Sequence, residues 1–139
     1  MGAAIRAKVV CLFEDNGQYL LAEGFDPTKQ QHYLMPIGGG IEFGELSADA
    51  VIREVAEEIG VQIESPRLLK VFENLFTFDG VAGHEIVFVY LAQLNAPLQS
   101  SIGVESNGAQ FKLHWLSVAQ MNELAWPVYP TGLFDELVL

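Results

Sequence analysis

At 139 residues and 15.3 kDa the chain has the length of one domain, and with half of its residues apolar it can bury a real core and is not a disordered tract. Eighteen acidic against seven basic residues leave a net charge of −11, which argues against a surface for DNA or long RNA. A small polyphosphate that arrives with cations stays compatible with that charge. The single cysteine, Cys11, rules out an internal disulfide and reads as a buried strand residue. No apolar stretch approaches the ~18 residues of a membrane span, and the N-terminus carries no signal-like segment. The expectation is a cytoplasmic protein that neither spans nor binds a membrane.

In chain order, residues 5–13 (IRAKVVCLF) read as a strand, and Glu14-Asp15-Asn16-Gly17 as a hairpin turn, because Asn-Gly supplies positive φ angles. Gln18 to Glu23 is then expected to be the partner of that first strand. Arg6 and Lys8 share one face by the period of two. They suit either a solvated edge or contact with substrate phosphates. Residues 24–31 read as a loop, His32 to Met35 as a short strand that feeds Pro36, and Gly38, Gly39, Gly40 and Gly44 as a glycine-rich loop.

A helix follows. Ser47 is the expected N-cap, Asp49 suits the positive end of the helix dipole, and Gly60 is placed to close the helix in a left-handed turn. Ala48, Val51, Ile52, Val55 and Ile59 make one apolar stripe, while Glu54, Glu57 and Glu58, at i, i+3 and i+4, share another face. Like charges at that spacing repel, and a divalent cation reverses the sign. Three hard oxygen donors suit Mg²⁺ or Mn²⁺. An isolated E-x-x-E-E would read as a solvated helix face; the glycines in front of it shift the balance.

Beyond the helix, Val61 to Ile63 is expected to start a strand, Ser65-Pro66 to break it and Leu68 to Phe78 to resume it. Residues 79–83 form a hairpin connection into His84 to Leu94, an apolar run expected to be a central strand. His84-Glu85 lacks the second histidine of a zinc-protease helix and reads as a loop-to-strand junction. Residues 95–109 read as a loop, Gln110 to Trp115 as the last strand, Ser117 as the cap of a helix through Leu124, and Thr131 to Leu139 as a short terminal helix. Trp115, Trp126, Tyr129 and Phe25 are expected in the core rather than at a base-stacking site.

The segment from Gly39 to Val61 matches G-x5-E-x7-R-E-U-x-E-E-x-G-U, with U aliphatic, at Gly39, Glu45, Arg53, Glu54, Val55, Glu57, Glu58, Gly60 and Val61. On these residues the chain resembles the Nudix hydrolases. The resemblance implies an α/β/α sandwich with a mixed β-sheet between helices, in one domain over residues 1–139, and hydrolysis of the pyrophosphate bond of a nucleoside diphosphate linked to another moiety. It implies Mg²⁺ or Mn²⁺ held by Glu54, Glu57 and Glu58, with Glu57 or Glu58 also the candidate base. Arg53 would orient a glutamate and Glu45 would brace the loop. The Gly38 carbonyl and Glu105 are further candidate metal ligands, and Arg6, Gly39 and Gly40 candidate substrate contacts. The partner would be a small nucleotide or dinucleotide polyphosphate, and homodimers are common in the family. The chain departs from the commonest family wording, Pro-Gly-Gly, by placing Ile37 between Pro36 and the glycines. The alternative reading is a Nudix-fold module that binds a nucleotide as a sensor without hydrolysing it; its mark would be a degraded box, and this box is intact.

Overall fold

The computed structural model describes residues 3–135. In chain order the elements are β1 (Ile5–Leu12), β2 (Glu14–Asp15), β3 (Gln18–Asp26), β4 (Gln31–Met35), β5 (Ile37–Gly40), α1 (Ser47–Ile59), β6 (Arg67–Phe78), β7 (Val81–Leu91), β8 (Ile102–Val104), β9 (Gln110–Leu116), α2 (Val118–Leu124) and a 3-10 turn, Leu133–Asp135. The strands divide between a mixed sheet in the order β5-β1-β7-β6 and an antiparallel sheet in the order β2-β3-β9-β8, with β4 on β3. Among the described residues no helix is long and apolar enough to cross a membrane.

β1 organises the layers because its alternation serves two interiors. Val9, Cys11 and Phe13 pack with Ala50, Val51 and Val55 of α1. On the other side Val10 meets Phe72, Val87, Val89 and Leu133, and Leu12 meets Leu21, Leu34 and Met121 of α2. One helix therefore covers each face, the α/β/α sandwich expected. Val51 and Val55 are fully buried, each worth about 1.5–3 kcal/mol of apolar burial. Burial pushes the Cys11 thiol up to about 12.

Several local expectations are corrected. The Asn16-Gly17 turn forms, with φ of 52° and 79°, but it joins β3 only to the two-residue β2. β1 pairs instead with β5 antiparallel and with β7 in parallel. At Phe13 the chain turns inward and changes sheet, so the hairpin ends almost at once. β3 continues to Asp26, leaving residues 27–30 as the turn. Residues 61–63 form no strand; Ile63 enters the core from irregular chain. The long loop after β7 contains β8, and β7 already begins at Val81 around the Asp79-Gly80 turn. It lies between β1 and β6, the interior position expected of it.

At the helices, Leu46 rather than Ser47 is the N-cap of α1, and no side chain caps it. Ser47 instead shares a 2.6 Å hydrogen bond with the Tyr90 hydroxyl, pinning the start of α1 to β7. Gly60 does take the left-handed conformation, φ 68°. Ser117 caps α2 in a full capping box with Gln120. Of the expected terminal helix, only the 3-10 turn at Leu133–Asp135 lies within the described residues; residues 136–139 lie outside them.

Candidate active site

Gly38, Gly39 and Gly40 do not form a loop. They belong to the strand β5, in register with Val10, Val9 and Lys8 of β1, and at Gly38 and Gly39 close approach demands glycine. A Cβ on Gly38 would run into the Val9 carbonyl oxygen, and one on Gly39 into the Glu54 carboxylate. Only Gly44, with φ 84°, serves a turn in this stretch. The residue inserted before the glycines, Ile37, is absorbed as a buried strand position opposite Cys11.

Without side chains at its three glycines, β5 lets α1 come down with Glu54 against the strand. Arg53 lies at the centre. Its Nε donates to Glu45 Oε2 at 2.7 Å and its Nη2 to Glu45 Oε1 at 2.9 Å, a bidentate pair, and Nη2 also donates to the Gly40 carbonyl at 3.0 Å. Its Nη1 donates to Glu54 at 2.9 Å and to Glu57 at 3.3 Å. Glu45 in turn accepts from the Glu42 N–H, so it ties the turn before α1 to the helix. The Arg53 hydrogen bonds hold the Glu45 carboxyl down at about 2.

The other carboxylates feel the opposite force. Glu54 is 8% exposed, and burial raises its pKa although Arg53 pulls the other way. Glu58 is pushed up to about 8, first by burial and then by the charge of Glu54, with Glu105 adding to the repulsion. The Gly38 N–H faces the Glu58 carboxylate and opposes that rise. Glu57 points outward, its side chain half exposed.

Among the described residues no three His, Cys, Asp or Glu side chains are already gathered around one point, and Arg53 takes one oxygen each of Glu54 and Glu57. The donor chemistry nevertheless fits a hard divalent cation. A buried carboxylate, Glu54, and a half-buried one, Glu58, repel each other, and a dication is the charge that would relieve both.

Between β1, β4 and β6 a cavity of about 420 Å³ opens, with Arg6, Lys8, Tyr33, Asn74, Phe76 and Phe78 on its walls. None of Glu54, Glu57 and Glu58 lines it. An adjoining recess of about 180 Å³ shares Lys8, Tyr33, Met35 and Glu105 with it and reaches Gly38 and Glu58. The structure thus brings Glu105 to Glu58, and Arg6 to the Gly40 end of β5. His84 and Glu85 lie inside β7 rather than at a junction; Glu85 meets Lys8 at 3.7 Å.

The aromatic walls are held by glycines. Tyr33 lies across Gly24, its register partner on β3, and Phe76 across Gly83 on β7; Phe111 does the same over Gly103. Tyr33 also meets Phe78 and Tyr129 edge-on, at 6.1 and 5.7 Å between centroids. Tyr129 is accordingly a cavity residue, while Trp115 and Trp126 pack against the core and Phe25, largely exposed, leans on His32. Tyr33, Asn74, Phe76 and Phe78 carry no motif that marks them in the sequence. The alternation 74/76/78 in an expected strand was the one available signal.

A family model described as the NUDIX domain matches residues 4–133. Among solved structures, a MutT NUDIX hydrolase from Burkholderia pseudomallei superposes with a TM-score of 0.65 at 23% identity, covering 84% of this chain and 86% of that one. A NUDIX hydrolase from Nitrosomonas europaea gives 0.72 at 19% identity, over 96% and 86%. A mutator MutT protein from Bacillus halodurans gives 0.63 at 22% identity, over 96% and 78%. At these identities the structures speak for the fold alone, and the family match supplies the membership. A complete box from Gly39 to Val61, a glycine strand that admits α1, and a match over almost the whole sequence together mean that the chain belongs to the NUDIX family.

Proposed function

We propose that this protein is a Mg²⁺- or Mn²⁺-dependent hydrolase that cleaves the pyrophosphate bond of a nucleoside diphosphate linked to another moiety. The observation that carries the proposal is Glu58 near Glu54, both raised in pKa by burial, with Glu58 on a recess that shares walls with an aromatic cavity carrying Arg6 and Lys8. Glu54, Glu57 and Glu58 would hold the cation, with the Gly38 carbonyl and Glu105 as additional donors. When bound, the cation supplies charge neutralisation at the phosphoryl oxygens and makes water more acidic.

The chain's own residues do the rest. Arg53 keeps Glu54 and Glu57 oriented and, through Glu45, fixes the turn that leads into α1. Arg6 and Lys8 face the diphosphate from β1, and the bare backbone of Gly40, which Glu54 does not cover as it does Gly39, lets it approach closely. Of the two candidate bases, Glu58 is favoured by position: it lies in the recess with Glu105, whereas Glu57 is turned outward to Arg53.

The test is a panel of nucleotide sugars, ADP-ribose, dinucleoside polyphosphates and nucleoside triphosphates incubated with Mg²⁺ and with Mn²⁺, following the released phosphate species. Cleavage of one class, lost in Glu58→Gln and Glu57→Gln proteins that still fold, is the expected result. A panel left intact under both metals rejects the proposal.

A further inference from the structure

One polar group on the cavity wall is used by neither the fold nor the hydrolytic residues. Asn74 on β6 is 5% exposed, and its Oδ1 is buried without a hydrogen-bond partner. A buried carbonyl oxygen left unpaired is destabilising, and an apolar side chain of the same size would avoid that penalty. The amide is thus a group waiting for a partner from the cavity that it lines.

Its surroundings define what that partner is. The alternation of β6 places Phe72, Asn74, Phe76 and Phe78 on one face, running from the buried core to the exposed end of the strand. Asn74 therefore sits where cavity meets core. Phe76 is fixed over Gly83 and Tyr33 over Gly24, so rings already in place flank the space in front of the amide. Arg6 and Lys8 lie on the side that leads to Gly40 and the Glu58 recess. A flat heterocycle between rings, a hydrogen-bonding edge at the inner end and anionic groups toward the cations describe a nucleotide entering base first. An acceptor oxygen beside the amide's own N–H donors suits a base edge that sets an amino donor next to a ring-nitrogen acceptor, as adenine and cytosine do. Glu85 and Glu105 add further acceptors to the same walls.

We propose that Asn74 is the residue that reads the base, with its Oδ1 accepting from the exocyclic amino group of adenine or cytosine and its Nδ2 donating to the neighbouring ring nitrogen. An asparagine amide matches that donor and acceptor pair side by side. The inference rests on the hydrolase reading for the direction in which the phosphates run, and it adds that selectivity lies in the nucleoside half of the substrate rather than in the moiety attached to it.

The experiment compares AMP with IMP, which differ by exchange of the amino group for an oxo group, in metal-free binding titrations of the wild-type protein and of Asn74→Leu. The wild type is expected to bind AMP at least about tenfold more tightly than IMP. In Asn74→Leu, with thermal stability equal to or above wild type, that ratio is expected to fall to near one. Equal affinity of the wild type for the two nucleotides, a preference that survives in Asn74→Leu, or no binding of either at millimolar concentration overturns the inference. Turnover of the substrate panel is measured alongside. Base discrimination without turnover would sink the hydrolase and leave Asn74 standing; turnover indifferent to the base would do the reverse.

Discussion

The two ends of the site are built on opposite terms. At the α1 end, Arg53 is met by four carboxylates, Glu42, Glu45, Glu54 and Glu57, and by the Gly40 carbonyl, so its donors are all taken up within the protein while negative charge is left in excess. At the β6 end a buried amide oxygen has no partner and aromatic rings stand around an open cavity. The first end is organised to hold charge in a fixed pattern. The second is left incomplete, and an incomplete polar wall is what a ligand can finish. Glu58 lies where the two meet, near the ion-pair network yet without an ion pair of its own among the described residues.

The comparison can be broken first at Glu58. Its folded-state pKa, about 8, lies above the ordinary value of 4.5, so the folded protein keeps a proton that the unfolded chain has released. The contribution to stability is complete below about 4.5 and is lost as pH rises through about 8. Integrated over the shift, it is at most about 4–5 kcal/mol. Denaturant melts in the presence of a chelator are expected to show stability falling between about pH 5 and 8, and Glu58→Gln is expected to flatten the curve. A flat wild-type curve would place Glu58 in solvent instead.

Turnover gives the next effect. Glu57→Gln and Glu58→Gln are each expected to lower kcat by at least about a hundredfold while melting temperatures hold; near-wild-type rates in both would discard the metal-and-base scheme. Arg53→Lys keeps the charge but loses the bidentate fork, and should cost about ten- to a hundredfold in kcat with a lowered melting temperature. The cavity end should respond differently. Tyr33→Leu is expected to raise KM about tenfold with kcat nearly unchanged, in line with lost stacking. If kcat falls instead, the two ends are not separate in the way described. Glu105→Gln, between them, is expected to lose only several-fold in steady-state kinetics, and unchanged kinetics would return it to the role of a solvated acid.

How much of this was legible beforehand follows from distance along the chain. Glu45, Arg53, Glu54, Glu57 and Glu58 are close neighbours in sequence, and helical spacing alone puts their chemistry together. The glycines are visible as well, but the expected loop is a strand. Residue types show that Cβ atoms are missing; they do not show that the space is filled by the β1 backbone and by Glu54. Ser47 has the chemistry of a cap, and a hydroxyl 43 positions away in sequence claimed it first. The parallel pairing of β1 with β7 leaves no local trace, because each strand alone shows only that it is apolar. The cavity was the least readable part. Tyr33, Asn74 and Tyr129 converge from three distant stretches, and none is unusual where it stands in the sequence.

The rings laid across cross-strand glycines carry a consequence for how such a protein can change. Exchanging Gly24 or Gly83 for alanine would leave the ladder's backbone bonds available while displacing Tyr33 or Phe76. One methyl on the neighbouring strand would then reshape the chamber without changing the identity of either ring on its wall. Binding preference in this scaffold can drift through positions that a survey of contact residues would pass over.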